Sequence, residues 1–146
     1  VEKMGIKQID YGTVQYAQMV ELRSQVLRKP IGLDFTEEEL DKEKDEILIG
    51  AFDEDEMIGC CMLTKTEEGE LKLRQMAVKD DLQGTGIGAS IISFAENIAR
   101  DRGFGKMVMN ARDSAVGFYE KLGYKVVGDA FTEVNLPHHK MEKRLL

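Results

Sequence analysis

The stretch from Leu71 to Asn110 constrains this chain more than any other. An alternating strand, Leu71 to Val78, gives way to a polar segment, Lys79 to Gln83, and then to the run Gln83-Gly84-Thr85-Gly86-Ile87-Gly88-Ala89. Beyond the glycines, Ile87, Ile91, Phe94, Ala95, Ile98 and Ala99 recur at helical spacing and define the clearest amphipathic helix in the sequence. Gly103 and Gly105 end that helix, and Lys106 to Asn110 reads as a strand returning beside the first. A strand, helix and strand in that order close a parallel pair through a right-handed crossover, so the chain is committed to a fold that mixes helices with a partly parallel sheet.

The glycine run also carries chemistry. Glycines let the backbone turn sharply and present successive N–H groups, and the following helix adds the partial positive charge of its N-terminus. Such a loop is built to hold an anion, and a pyrophosphate is its natural guest. A purely structural glycine turn is the alternative reading. Gly84, Gly86 and Ala89 also match the dinucleotide fingerprint GxGxxA, but that fingerprint begins at the end of its strand, whereas a polar segment intervenes here. A Walker A loop is excluded because no Gly-Lys-Ser/Thr follows the glycines.

The rest of the chain reads in the same terms. Met4 to Ile9 forms a first strand, and Thr13 to Arg28 a helix with Thr13 as N-cap and Lys29-Pro30 as its stop. Thr36 with Glu39 resembles a capping box for a short acidic helix. Strands Ile47 to Phe52 and Met57 to Lys65 are joined by Asp53-Glu54-Asp55-Glu56, and a second polar turn, Thr66 to Gly69, leads into Leu71 to Val78. Ser114 opens a further short helix through Leu122, which Gly123 ends, and strands Lys125 to Gly128 and His139 to Leu145 close the chain. The 146 residues, 42% hydrophobic with 2 prolines, suffice for one domain spanning residues 1–146 with a core that needs no disulfide or metal. Its apolar stretches are far too short to span a membrane. Glu2, Lys3, Lys7 and Asp10 leave no apolar leader segment, so a cytoplasmic protein is expected.

Charge narrows the partners. The net charge is −7, and residues 34–56 hold twelve acids against Lys42 and Lys44. That balance disfavours nucleic acid, which is bound by neutralising phosphates, and suits either a solvated helix face or a rim that attracts a cationic amine. Cys60 and Cys61 are adjacent and read as packing residues, one pointing inward and the other outward along an alternating strand. With His138 and His139 the only histidines, no metal-ligand spacing exists and no metal site is expected.

Two linked motifs give the strongest signal. Gln83-x-x-Gly86-x-Gly88, preceded by Met76-Ala77-Val78 and followed by Asn110-x-x-x-Ser114-x-x-x-Phe118-Tyr119-x-x-x-Gly123-Tyr124, resembles the GCN5-related N-acetyltransferases in order and separation. The tail Phe131-x-Glu133-x-x-Leu136-Pro137-His138-x-x-Met141 is similar to a bacterial branch of that family, which points to a bacterial source. The resemblance implies an acyl-CoA N-acyltransferase fold, α/β of the α+β kind. It has a mixed, mostly antiparallel sheet of about seven strands flanked by about four helices.

It also implies acetyl-CoA as cosubstrate, bound where the strands 71–78 and 106–110 splay apart. Gln83, Gly84, Thr85, Gly86, Ile87, Gly88 and Ala89 would hold the pyrophosphate, Met76, Ala77 and Val78 would pair with pantetheine, and Asn110, Ser114 and Tyr119 would complete the coenzyme site. A primary amine, on a small molecule or on a peptide or protein, would attack the thioester directly in a ternary complex. Tyr119 matches the family position whose hydroxyl protonates the departing thiolate. The family's acid on the fourth strand is missing, since Lys72 and Arg74 occupy the matching positions, and a protonated lysine is no base. Glu70, His138 and Glu133 are the candidates for base or substrate contact. That departure also leaves open a non-catalytic module that holds acyl-CoA as a sensor or docking signal. A homodimer joined through a sheet edge is compatible with the pattern.

Overall fold

The computed structural model describes residues 4–146, so Glu2 and Lys3 of the leader argument lie outside the described residues. In chain order the elements are β1 (Met4–Ile9), α1 (Val14–Arg23), α2 (Glu37–Asp41), β2 (Ile47–Asp53), β3 (Glu56–Glu67), β4 (Glu70–Val78) and α3 (Ile87–Asp101). They continue with β5 (Lys106–Arg112), α4 (Val116–Lys121), β6 (Lys125–Val126), β7 (Phe131–Glu133) and β8 (Leu136–Arg144). The strand order is β1-β2-β3-β4-β5-β8-β6, with β7 paired on β8. Eight strands replace the seven expected from the sequence; the added one is β7, three exposed residues with no apolar alternation to betray them. The β4–β5 pair is parallel, as the crossover requires, and β1–β2, β2–β3, β5–β8, β6–β8 and β7–β8 are antiparallel.

The chain divides into two compact units, one containing the residues up to Leu63 with Gln75–Ala95, the other Thr64–Arg74 with Glu96–Leu146. In the first, Ile9, Tyr16, Met19, Leu22, Leu48, Phe52, Met57, Cys60, Met62 and Ala77 form a buried apolar cluster. Thr13 caps α1 as expected, accepting from the Tyr16 amide at 3.2 Å. The helix does not stop at Lys29-Pro30. It widens into a π-helical turn over Ser24–Arg28 and tightens into a 3-10 turn over Lys29–Ile31, where proline sits in the first turn and costs no hydrogen bond. Gly32, at φ 75°, ends it.

Thr36 and Glu39 form the expected capping box. Arg23, fully buried, is held by two 2.7 Å contacts to Glu43, which also accepts from the Tyr16 hydroxyl at 2.8 Å. Met57 to Leu63 is buried along its whole length, so Cys60 and Cys61 are both at 0% exposure although they face opposite sides. The expectation of one inward and one outward cysteine fails because β3 is covered on both faces. The absence of a side chain at Gly59 admits the first half of α3: a Cβ there would stand 2.6 Å from Ile91 Cδ1.

In the second unit, Glu70–Leu73 of β4 runs parallel to Lys106–Met109 of β5, and β8 lies antiparallel on the other side of β5. Glu96, in the last turns of α3, accepts from the Tyr124 hydroxyl at 2.8 Å and from Lys143 Nζ at 3.0 Å, while Lys143 also donates to the Leu122 carbonyl at 2.8 Å. That lysine therefore satisfies the C-terminal end of α4 and ties it to α3 and β8. Ser114 does not open α4 as expected. It lies within a 3-10 turn over Asp113–Ala115, and the helix begins at Val116 with no side-chain cap. Gly123, at φ 95°, ends α4 as expected.

Candidate active site

In the first unit the geometry centres on the end of β4 and the turn that follows. Gln75 has φ 54°, outside the extended range, and breaks the regular pleat two residues beyond the last residue of the β4–β5 ladder. Ala77 is buried, and the Lys79 amide returns to β3 through a 2.9 Å bond to the Ile58 carbonyl. A 3-10 turn over Asp80–Leu82 follows, held from outside by a 2.8 Å ion pair between Lys79 and Glu56.

The glycine run is shaped by its own side chains. Gln83 donates to the Val78 carbonyl at 3.1 Å and to Asp80 at 3.3 Å, and the Thr85 hydroxyl donates to the Leu82 carbonyl. Those two side chains are thereby committed to the loop, which leaves anion contact to backbone amides. Gly84 and Gly86 have φ 82° and 89°, and at neither would a Cβ meet any atom within 4 Å. Gly86 accepts the first helical bond, from the Ser90 amide at 3.1 Å, so the N–H groups of Ile87, Gly88 and Ala89 form the first turn of α3, which has no intrahelical acceptors. No acidic residue occupies that turn. An exposed turn, Gln83 to Gly86, with open space over Gly84 and Gly86 and a helix N-terminus behind it has the chemistry to hold a diphosphate, and so suits coenzyme A.

In the second unit, Tyr119 is buried in α4 and packs edge-on against Phe118 at 5.1 Å and Tyr124 at 6.0 Å between ring centroids. Burial and the bond to Glu96 push the Tyr124 hydroxyl well above its ordinary range, so this tyrosine is unsuited to give up a proton. Asn110 lies half-buried in β5 opposite Lys140, and Ser114 is exposed.

The β7–β8 hairpin brings two further candidates together. Its two-residue turn, Val134 and Asn135, takes φ 45° and 63°, a conformation that asparagine tolerates and a β-branched valine does not adopt without strain. Across it, His138 is buried, stacks on Phe131 at 5.9 Å, and stands 3.7 Å from Glu133 through Nε2. His138 Nδ1 lies 2.9 Å from the Leu136 carbonyl, which can only accept, so Nδ1 carries a proton and Nε2 holds the lone pair of the neutral ring. Glu70 is held differently. Thr66 donates to its carboxylate and Lys106 pairs with it at 3.2 Å, and these contacts keep its carboxyl below the ordinary range.

Two polar centres escaped the sequence reading. Arg23 and Glu43 lie twenty positions apart, and only the presence of a charge on the apolar face of α1, between Met19 and Val26, hinted at the pair. Glu96 gave the same hint among Ile92, Ala95 and Ala99. Among the described residues no group of three His, Cys, Asp or Glu converges as metal ligands, and no helix is long and apolar enough to cross a membrane.

A crossover βαβ unit with a glycine turn ahead of its helix defines a protein of mixed α/β class with a place suited to a diphosphate-bearing ligand. The sequence profile of the acetyltransferase (GNAT) domain matches residues 12–145. The uncharacterized N-acetyltransferase YjcF of Bacillus subtilis (strain 168) is 30% identical over 125 residues, 84% of this chain and 87% of that one. In fold, the chain is similar to an aminoglycoside 6'-N-acetyltransferase crystallised with coenzyme A, with TM-score 0.80, 19% identity and 97% of each chain covered. It is likewise similar to Escherichia coli ElaA, with TM-score 0.83, 17% identity, and 97% of this chain and 99% of that one covered. The chain belongs to the GNAT family and is an acyl-CoA-dependent N-acetyltransferase.

Proposed function

We propose that this single-domain enzyme transfers the acetyl group of acetyl-CoA to a primary amine by direct attack, with Tyr119 as general acid and His138 as proton acceptor. The observation that carries the reading is the glycine turn, whose left-handed Gly84 and Gly86 lead into α3, with no acidic residue in its first turn. On this reading the amides of Gly84 to Ala89 hold the diphosphate, and backbone groups of Met76 and Val78 pair with pantetheine as an added strand would. The aminoglycoside acetyltransferase crystallised with coenzyme A supports that choice of donor through fold alone.

The amine nitrogen attacks the thioester carbonyl carbon, and a strand amide stabilises the oxyanion, a contribution of about 3 kcal/mol in comparable sites. As the C–N bond forms, the nitrogen gives a proton to His138 Nε2; as the C–S bond breaks, the sulfur takes one from Tyr119, and solvent returns the proton from His138 to Tyr119. Glu133, half-exposed beside His138, suits a cationic acceptor that arrives as an ammonium and must lose a proton first.

The test is calorimetric titration with acetyl-CoA, with coenzyme A and NADH as controls, followed by thiol release across a panel of primary amines. Saturable binding of the coenzyme and amine-dependent thiol release are expected. Binding of NADH in its place, or turnover that ignores the amine, would refute the assignment.

A further inference from the structure

Cys60 was read from sequence as inert packing, and its surroundings assign it more. Its thiol donates to the Gln75 carbonyl across 3.6 Å, an ordinary span for sulfur, and the Ala77 backbone also faces β3, its carbonyl oxygen 3.5 Å from where a Cβ of Gly59 would stand. Those two backbone groups flank Met76 at the point where the left-handed Gln75 interrupts β4. Along an extended strand the backbone groups of alternate residues point to opposite sides. Gln75, Ala77 and Lys79 all turn theirs toward β3, onto Cys60, Gly59 and the Ile58 carbonyl. Met76 and Val78 are therefore directed away from β3.

We infer that Cys60 is a positioning residue: its thiol clamps Gln75, and with it Ala77, so that the backbone groups of Met76 and Val78 stay aimed at the coenzyme. A bulge leaves the ladder short of a partner, and a side chain with one donor and one acceptor, at full burial, supplies what the neighbouring strand cannot. Burial pushes the thiol up to about 12, so at neutral pH it remains an S–H donor and takes no part as a nucleophile.

The inference rests on the coenzyme reading above, and the test separates the two. Cys60→Ala removes donor and acceptor, whereas Cys60→Ser keeps both with a shorter reach. Two readouts are taken on each variant and the wild type: amide exchange at Ala77 in the free protein, and calorimetric affinity for coenzyme A beside the amine KM. Cys60→Ala is expected to speed exchange at Ala77 and weaken coenzyme affinity about tenfold with the amine KM unchanged, and Cys60→Ser to recover most of both. Unaltered coenzyme affinity in Cys60→Ala, or a serine variant no better than alanine, would overturn the clamp alone. A wild type that binds no coenzyme A would overturn the coenzyme reading and this inference together, whatever the exchange shows.

Discussion

Gly86 offers a clean way to separate backbone strain from ligand exclusion. Its φ of 89° is one that L residues rarely adopt, yet a Cβ placed there would meet nothing within 4 Å. Alanine at this position thus clashes with no protein atom, and its cost to folding is the left-handed backbone alone, about 1–2 kcal/mol. For a chain of this size that corresponds to roughly 3–6 °C in Tm. Asparagine tolerates the same conformation far better, so Gly86→Asn should melt within about 2 °C of wild type. Both substitutions nevertheless put a side chain into the open space above the turn, where the diphosphate is assigned. Coenzyme affinity should therefore fall at least about tenfold in both, with stability lost chiefly in Gly86→Ala. Scanning calorimetry and isothermal titration on the same samples read the two effects. A Gly86→Asn variant that binds coenzyme A as tightly as wild type would show that the turn is only a helix entrance.

Other perturbations test the remaining parts. Tyr119→Phe should lower kcat by about two orders of magnitude with coenzyme affinity nearly unchanged, and normal turnover would remove the tyrosine from the proton path. Arg23→Met leaves Glu43 buried and uncompensated, at an expected loss of about 3–5 kcal/mol in denaturant melts, whereas Arg23→Met with Glu43→Leu should recover much of it; equal losses would contradict the buried-pair argument. The carboxyl of Glu70 is held below its ordinary value of 4.5, first by the Thr66 bond and then, against the opposing effect of burial, by Lys106. Its contribution to stability is thus complete above that value and lost as pH falls through the lower folded one. Glu70→Gln should accordingly melt lower than wild type at neutral pH and lose less on acidification, and parallel acid limbs would reject the assignment.

What the sequence revealed was what local chemistry dictates. The glycine turn, α3, the Thr13 cap and the Thr36–Glu39 capping box depend on residues within a few positions of one another, and all were legible. The β7–β8 hairpin was not, because Phe131-Thr132-Glu133 shows no buried face and Val134 is an unfavourable turn residue. Pro137 concealed the start of β8 for the opposite reason: it reads as a strand breaker, yet it lies outside the β5 ladder, which begins at His138. The Arg23–Glu43 pair and the bonds to Glu96 join residues 20 to 47 positions apart, beyond the reach of any periodicity argument. Packing between elements distant in the chain created them, and only the folded chain could disclose them.

The same division runs through the chemistry. What is assigned to holding the donor's diphosphate and pantetheine is backbone: the turn amides from Gly84 to Ala89 and the strand groups of Met76 and Val78, with Tyr119 assigned to protonate the sulfur. The other side chains on that side fix the backbone's direction, as Gln83 and Thr85 do within the loop and Cys60 does from β3. Everything assigned to the acceptor is side chain: Glu133 on a three-residue strand and His138 on β8, joined by a strained turn. Backbone recognition demands glycine and little else, so it leaves a spaced signature in the sequence. Side-chain recognition on a short hairpin can change residue by residue without disturbing the sheet. For that reason the donor's half of the reaction was readable from the chain, and the amine must be sought with variants of Glu133 and His138 rather than of the turn. If exchanging Glu133→Gln reshapes the amine preference while coenzyme affinity holds, the two halves are separable; a parallel loss of both would show that they are not.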